Sequence, residues 1–296
     1  MKLEPLRIKQ AKKLIIPFKT GYIVQTSFEE LGTIITDRAA SLKFMRNDVK
    51  NQSHAQEQVL SDFFRYTSKR LTDILIRLQE INWKRTTLFY DIKPDTYKHP
   101  IDPQTSTYNN FLSLSIKDFH VDIISFMDSL APIVILAESN LKSKDRKKPP
   151  GWSDIKKDSN RNFRANLSSE ALSIIDRCEE WLSLVKEIRN LLTHRNHGKI
   201  VFGGPKEVLL FQFYDKDMKP AIVLPEVLHS SGNNVADFEL YSAAVLSEIF
   251  VLLDVLGNFM AQKMGFNSKR ISQIHIREIH KAIVISIERL DAMLSE

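Results

Sequence analysis

Arg189, Asn190 and His194 carry side chains suited to cutting a phosphodiester. Breaking an RNA backbone without a metal requires three things. The ribose 2′-OH must lose a proton, the phosphorane charge must be neutralised, and the 5′-oxygen leaving group must gain a proton. A histidine titrates near neutral pH and can perform either proton transfer. An arginine keeps its charge and offers a planar fork matched to phosphate oxygens. Asn190 and His194 are four residues apart, hence neighbours on an α-helix, so the amide can orient the imidazole or touch substrate. One histidine is a small inventory for two proton transfers.

The element that must position these groups is a helix expected from Ser168 to His197. Apolar residues recur at Ala171, Ile174, Cys178, Trp181, Val185, Ile188 and Leu192, in alternating steps of three and four. That spacing predicts one buried stripe. Ile175 and Leu182 flank it, and Arg189 takes the next place in their row. Asn190 and His194 point away from the stripe. Ser168-Ser169-Glu170 offers an N-cap and Gly198 a stop, with His194, Arg195 and His197 crowding the last turn. A purely structural account also fits, because cations in a last turn favour the carbonyl end of the helix dipole.

The string Arg189-Asn190-Leu191-Leu192-Thr193-His194, R-N-x-x-x-H at the end of an amphipathic helix, resembles the signature of the HEPN superfamily (higher eukaryotes and prokaryotes nucleotide-binding domain). The resemblance implies a metal-independent ribonuclease of bacterial toxin or antiviral-defence type, leaving 2′,3′-cyclic phosphate ends. It implies that two motifs face one cleft, and with a single motif per chain that means a homodimer. Arg189 would then bind the scissile phosphate, His194 serve as general acid/base and Asn190 orient the site. The resemblance covers roughly residues 106–296. A Tyr two residues after the motif His, frequent in toxins paired with a nucleotidyltransferase antitoxin, is replaced by Asn196, so that pairing is not implied. An antitoxin of another kind or a defence-complex partner stays open.

Lys142 to Arg164 has the chain's most unusual composition. It holds nine basic residues against three acidic ones, a surplus equal to the formal net charge of +6. Lys147, Lys148, Lys156, Lys157, Arg161 and Arg164 suit phosphates, and Trp152 and Phe163 among them suit base stacking. With Arg195 they form the expected RNA-binding set; a solvated loop is the alternative.

At 296 residues, 43% of them apolar and 26% charged, the chain can bury a large core. The single cysteine, Cys178, lies on the buried stripe as a small hydrophobe, so no disulfide within the chain forms and a reducing compartment fits. The N-terminal apolar run is too short for a secretory signal and is broken by Pro17. The greasiest stretch, Tyr241 to Met264, is interrupted by Glu248 and Asp254, which predicts a core helix rather than a membrane span. A cytoplasmic protein is expected. His194/His197 and His275/His280 lack further ligands, and Asp118, Asp122 and Asp128 are scattered, so neither a metal nor a cofactor is expected. His120 and Asp122 are candidate accessory polar groups of the cleft.

The expected fold is mainly α: a HEPN-like antiparallel helical bundle with a small β-hairpin insertion and an N-terminal helical extension. Helices are expected at Phe28–Met45, His54–Phe89, Leu112–Leu141 with a kink or break at Pro132, Asn233–Met264 and Arg270–Leu294. Residues 1–20 are expected to be irregular. Short strands are expected at Lys199–Phe202, Val208–Tyr214 and Ala221–Leu224. The proline-rich segment Ile92–Asn110 suggests a division into 1–105, an N-terminal helical region of unknown role, and 106–296, the HEPN-like domain. An RNA endonuclease is the leading function. A non-catalytic HEPN-like nucleotide-binding or protein-assembly module, and a plain helical interaction protein, are the alternatives.

Overall fold

The computed structural model describes residues 3–18, 21–44, 52–91, 103–138, 151–152, 154–155, 164–165, 167–195, 198–203, 208–213, 222, 224–229, 235–265 and 277–295. Its centre is the stretch Phe238–Lys263, which is apolar on every side and therefore buried on every side. Asp237 caps this helix by accepting from the backbone N–H groups of Glu239 (2.8 Å) and Leu240 (3.3 Å). It is long and apolar enough to cross a membrane, but 89% of its most apolar window is covered by the rest of the fold.

Around it the described chain is mainly α. Seven helices are described: α1 Pro5–Lys13, α2 Ser27–Phe44, α3 Gln52–Asp91, α4 Pro103–Ala137, α5 Ser169–Asn190, α6 Phe238–Lys263 and α7 Lys281–Met293. The central α6 packs on α1, α2, α4, α5 and α7. A hairpin of β1 (Ile15–Phe18) and β2 (Gly21–Val24) is joined antiparallel by β6 (Arg277–Ile279), so residues near both ends of the chain share one sheet. The second sheet pairs β3 (Gly198–Gly203) with β4 (Val208–Phe213) and then β5 (Ala236–Asp237).

Each polar side chain that interrupts α6 holds a different neighbour. Tyr241 donates its hydroxyl to His120 Nε2 of α4 at 2.9 Å. Glu248, buried, pairs with Arg7 of α1. Asp254 accepts from the backbone N–H (3.0 Å) and hydroxyl (2.7 Å) of Ser27, and so caps the start of α2. One turn on, Gly257 lets α2 approach closely: a Cβ there would stand 2.1 Å from the Phe28 nitrogen.

Several boundaries differ from expectation. Residues 5–13, expected to be irregular, form α1 with Pro5 in its first turn, where a missing N–H costs nothing. Helix α4 begins at Pro103 for the same reason, inside the proposed connector, and continues through Pro132, which lies among buried residues from Leu130 to Ile135. The third strand of the second sheet is Ala236–Asp237 instead of Ala221–Leu224, although Ile222 and Leu224 are buried. The last helix starts at Lys281, later than Arg270; residues 266–276 lie outside the described part. The core is one continuous cluster from Ile8 to Leu290, so α1, α2 and α3 share it with the rest of the chain.

Substituting Gly257→Ala is expected to force α2 off α6. Overpacking of this kind costs about 1–3 kcal/mol, so thermal unfolding should show a melting temperature lower by several degrees. An unchanged melting temperature would mean that α2 is free to shift.

Candidate functional site

The motif helix is held at both ends. Ser168 caps α5 by accepting from the Ala171 N–H at 3.2 Å, and its hydroxyl donates to Glu138 at 2.6 Å, just past the end of α4. The expected stripe is buried from Ala171 through Ile188, with Ile175 and Leu182 beside it. Leu192 is partly buried against the core. Cys178 is buried, and its thiol reaches the Ile174 carbonyl at 3.2 Å. Arg189, next in the Ile175/Leu182 row, is half-buried, while Asn190 is exposed.

At Asn190 the α-helix ends and Leu191–Arg195 wind into a π turn that packs against α4. There is a physical reason for the change. Arg195 is seven residues beyond Ile188, so continued α winding would carry it into the buried row. The wider turn rotates it off that row while Leu191 stays buried.

The same winding alters the motif. In an α-helix Arg189 and His194, five residues apart, would lie about 140° from each other. In a π-helix the repeat is i to i+5, and residues five apart come into line. Most of the backbone between these two residues follows the wider path. The expected one-turn relation of Asn190 to His194 is thus replaced by an alignment of the Arg189 and His194 positions. The side chains of His194 and Arg195 lie outside the described residues.

The expected RNA-binding set divides. Lys147, Lys148, Lys156, Lys157 and Arg161 lie outside the described residues, as does Phe163. Trp152 is not a stacking platform. It is 1% exposed and belongs to the core, and its backbone N–H donates to Asp128 at 2.9 Å. A large ring beside Ile155 gains more from burial than from solvent, so the connector is anchored through it. Arg164 faces Asp176 at 3.2 Å, with both groups partly exposed. Such a surface pair is weak and yields readily to a phosphate.

His120 is likewise not a cleft residue. It is fully buried, its Nδ1–H donating to the Ile116 carbonyl (2.7 Å) while Nε2 accepts from Tyr241. Burial pushes its pKa down to about 4, so it is neutral near pH 7. Asp122 meets Arg77 at 3.3 Å. Asp118 lies 3.9 Å from the same guanidinium. His280 caps α7 by accepting from the Ala282 N–H at 3.2 Å. Among the described residues no group of three His, Cys, Asp or Glu could hold a metal.

A polar cleft of about 460 Å³ opens between α1, α5 and α6. Glu4, Arg7, Asp176, Arg177, Glu180 and Glu248 line it in mixed sign. Neither Arg189 nor Asn190 lines this cleft or the two other cavities found among the described residues. Comparison with protein-family models, curated proteins and solved structures finds no match to this chain.

The buried His120 gives a pH prediction. Above about pH 6.5 neither the folded nor the unfolded chain is protonated there, and its full contribution to stability is present. Below that, the unfolded chain takes a proton that the folded one refuses until about pH 4. Stability therefore falls across this window by roughly 1.4 kcal/mol per pH unit from this group alone. Urea unfolding of wild type and His120→Gln should show the stability difference shrinking between pH 7 and pH 5. A difference independent of pH would contradict the assignment.

Proposed function

We propose that this chain is a metal-independent RNA endonuclease acting as a homodimer, in bacterial toxicity or antiviral defence in the cytoplasm. The observation that carries this is the π turn after Asn190, which brings the backbone positions of Arg189 and His194 into line at the open end of a rigidly held helix. A functional helix end with this winding is a recurring device. The residue types complete the argument, because Arg189 suits the charge on the phosphorane and His194 suits proton transfer at neutral pH.

In the reaction, a base takes the 2′-OH proton, O2′ attacks phosphorus and the P–O5′ bond breaks as a proton reaches O5′. The products are a 2′,3′-cyclic phosphate and a 5′-OH. His194 of each protomer supplies one of the two proton transfers, which is why a dimer is needed. Arg189 steadies the non-bridging oxygens, and Asn190 orients the substrate. The basic connector and Arg195 hold the RNA backbone, and any antitoxin or defence partner would act by covering this end.

Purified protein incubated with structured and unstructured RNAs in EDTA should cleave them. His194→Ala is expected to lower the rate by roughly 10²–10⁴-fold, and Arg189→Ala by roughly 10²–10³-fold. Equal cleavage by wild type and variants would overturn the assignment. RNA binding without any cleavage would make the chain a binding module.

A further inference from the structure

Helices α3 and α4 pack side by side in antiparallel register. Arg77 meets Asp122 at 3.3 Å, and Lys84 meets Ser115 at 2.7 Å, so positions rise on one helix as they fall on the other. The outer face of this pair carries large apolar side chains in the open: Trp83 at 65% exposed, Ile76 at 55%, Leu114 at 51%, Phe111 at 49% and Val121 at 38%. Ile76 and Trp83 are seven apart, as are Leu114 and Val121, with Phe111 three before Leu114, so each set keeps to one helix face. Single exposed apolar residues are ordinary; a two-helix face that gathers five of them marks an interaction surface. An open tryptophan at its centre is the residue type that most often anchors one.

This face lies level with the motif. Helix α5 starts where α4 ends, at the Ser168–Glu138 hydrogen bond, and its π turn packs back on α4. The 22 residues of α5 rise about 33 Å, and the same rise counted back from Glu138 along α4 reaches Ile116. Leu114 and, by the α3–α4 register, Trp83 are at that height. α4 thus separates the motif turn from Trp83 and touches both α5 and α3.

The charges decide what fits there. Arg77, Lys84 and Lys117 stand among Asp73, Glu80, Asp118 and Asp122, so the acidic groups outnumber the basic ones. Arg77 reaches Glu80 at 2.6 Å, and Lys84 reaches it at 2.5 Å. A face with a slight acidic excess and internally paired charges repels a polyanion and offers a strongly charged protein nothing. Its complement is a surface of the same composition, which is what a two-fold contact between identical chains supplies. We propose that the outer face of α3 and α4, anchored by Trp83 and Leu114, is where a second copy of this chain docks, at the level of the two motif turns. This rests on the dimer half of the proposed function and not on the nuclease half.

Sedimentation equilibrium on the full chain tests it. Wild type should be a dimer whose dissociation constant rises at least about tenfold in Trp83→Asp and in Leu114→Asp. Both side chains are mostly exposed in one chain, so circular dichroism and melting of the diluted variants should match diluted wild type. Ile285→Asp, an equally open residue on α7, should leave the dimer intact. A monomeric wild type overturns the proposal, and so does a dimer indifferent to both substitutions. Variants that stay dimeric but lose retention of RNA would assign the face to nucleic acid and overturn it too. A chain that never cuts RNA yet dimerises through Trp83 keeps the interface and loses the nuclease. One that cuts RNA as a monomer keeps the nuclease and loses the interface.

Discussion

Burial of α6 on all sides is the constraint on which the other helices depend. A helix apolar all round cannot stand at a surface, so neighbours must enclose it. Apolar contact alone is non-directional and would let those neighbours slide. The polar groups of α6 remove that freedom. Tyr241 reaches α4, Glu248 reaches α1, and Asp254 holds the first turn of α2. The ion pair with Arg7 illustrates the logic: burying two charges gains little net stability, but losing one partner strands the other. Such contacts set position more than they add energy.

With α4 fixed on α6, α5 has little choice of place. Its start is tied to the end of α4 through Ser168 and Glu138, and its stripe lies in the common core. The conflict arises only at its far end, where the buried row would next demand Arg195. The chain resolves this by widening the turn, and the consequence for chemistry is that Arg189 and His194 come into register. A local packing problem and the proposed site thus have one solution.

Much of the architecture was legible in the residues. The three-and-four spacing of α5, its serine cap and the burial of Cys178 follow from periodicity and hydrogen-bonding rules that act over one or two turns. The hairpin of β3 and β4 was legible for the same reason. What could not be read depends on partners distant in sequence. Residues 15–18 are a strand because 21–24 and 277–279 complete a sheet. Trp152 looked like a stacking ring because its neighbours are lysines and aspartates, yet Asp128 in α4 draws the backbone inward and the ring with it. His120 looked solvated because Asp122 follows it closely, while its real partner is Tyr241, 121 residues away. The π turn also had a signal, the cation Arg195 falling due on an apolar row, but a helix cap at Gly198 explained the same residues.

The chemistry of the cut ends is the most direct test of the central claim. Attack by the neighbouring 2′-OH leaves a 2′,3′-cyclic phosphate on one fragment and a 5′-OH on the other, and mass spectrometry of the fragments distinguishes these from hydrolytic ends. The account predicts cyclic phosphate products and no cut at a linkage whose 2′-OH has been replaced by hydrogen. Fragments ending in 5′-phosphate and 3′-OH, or cutting that persists at a deoxy linkage, would contradict it.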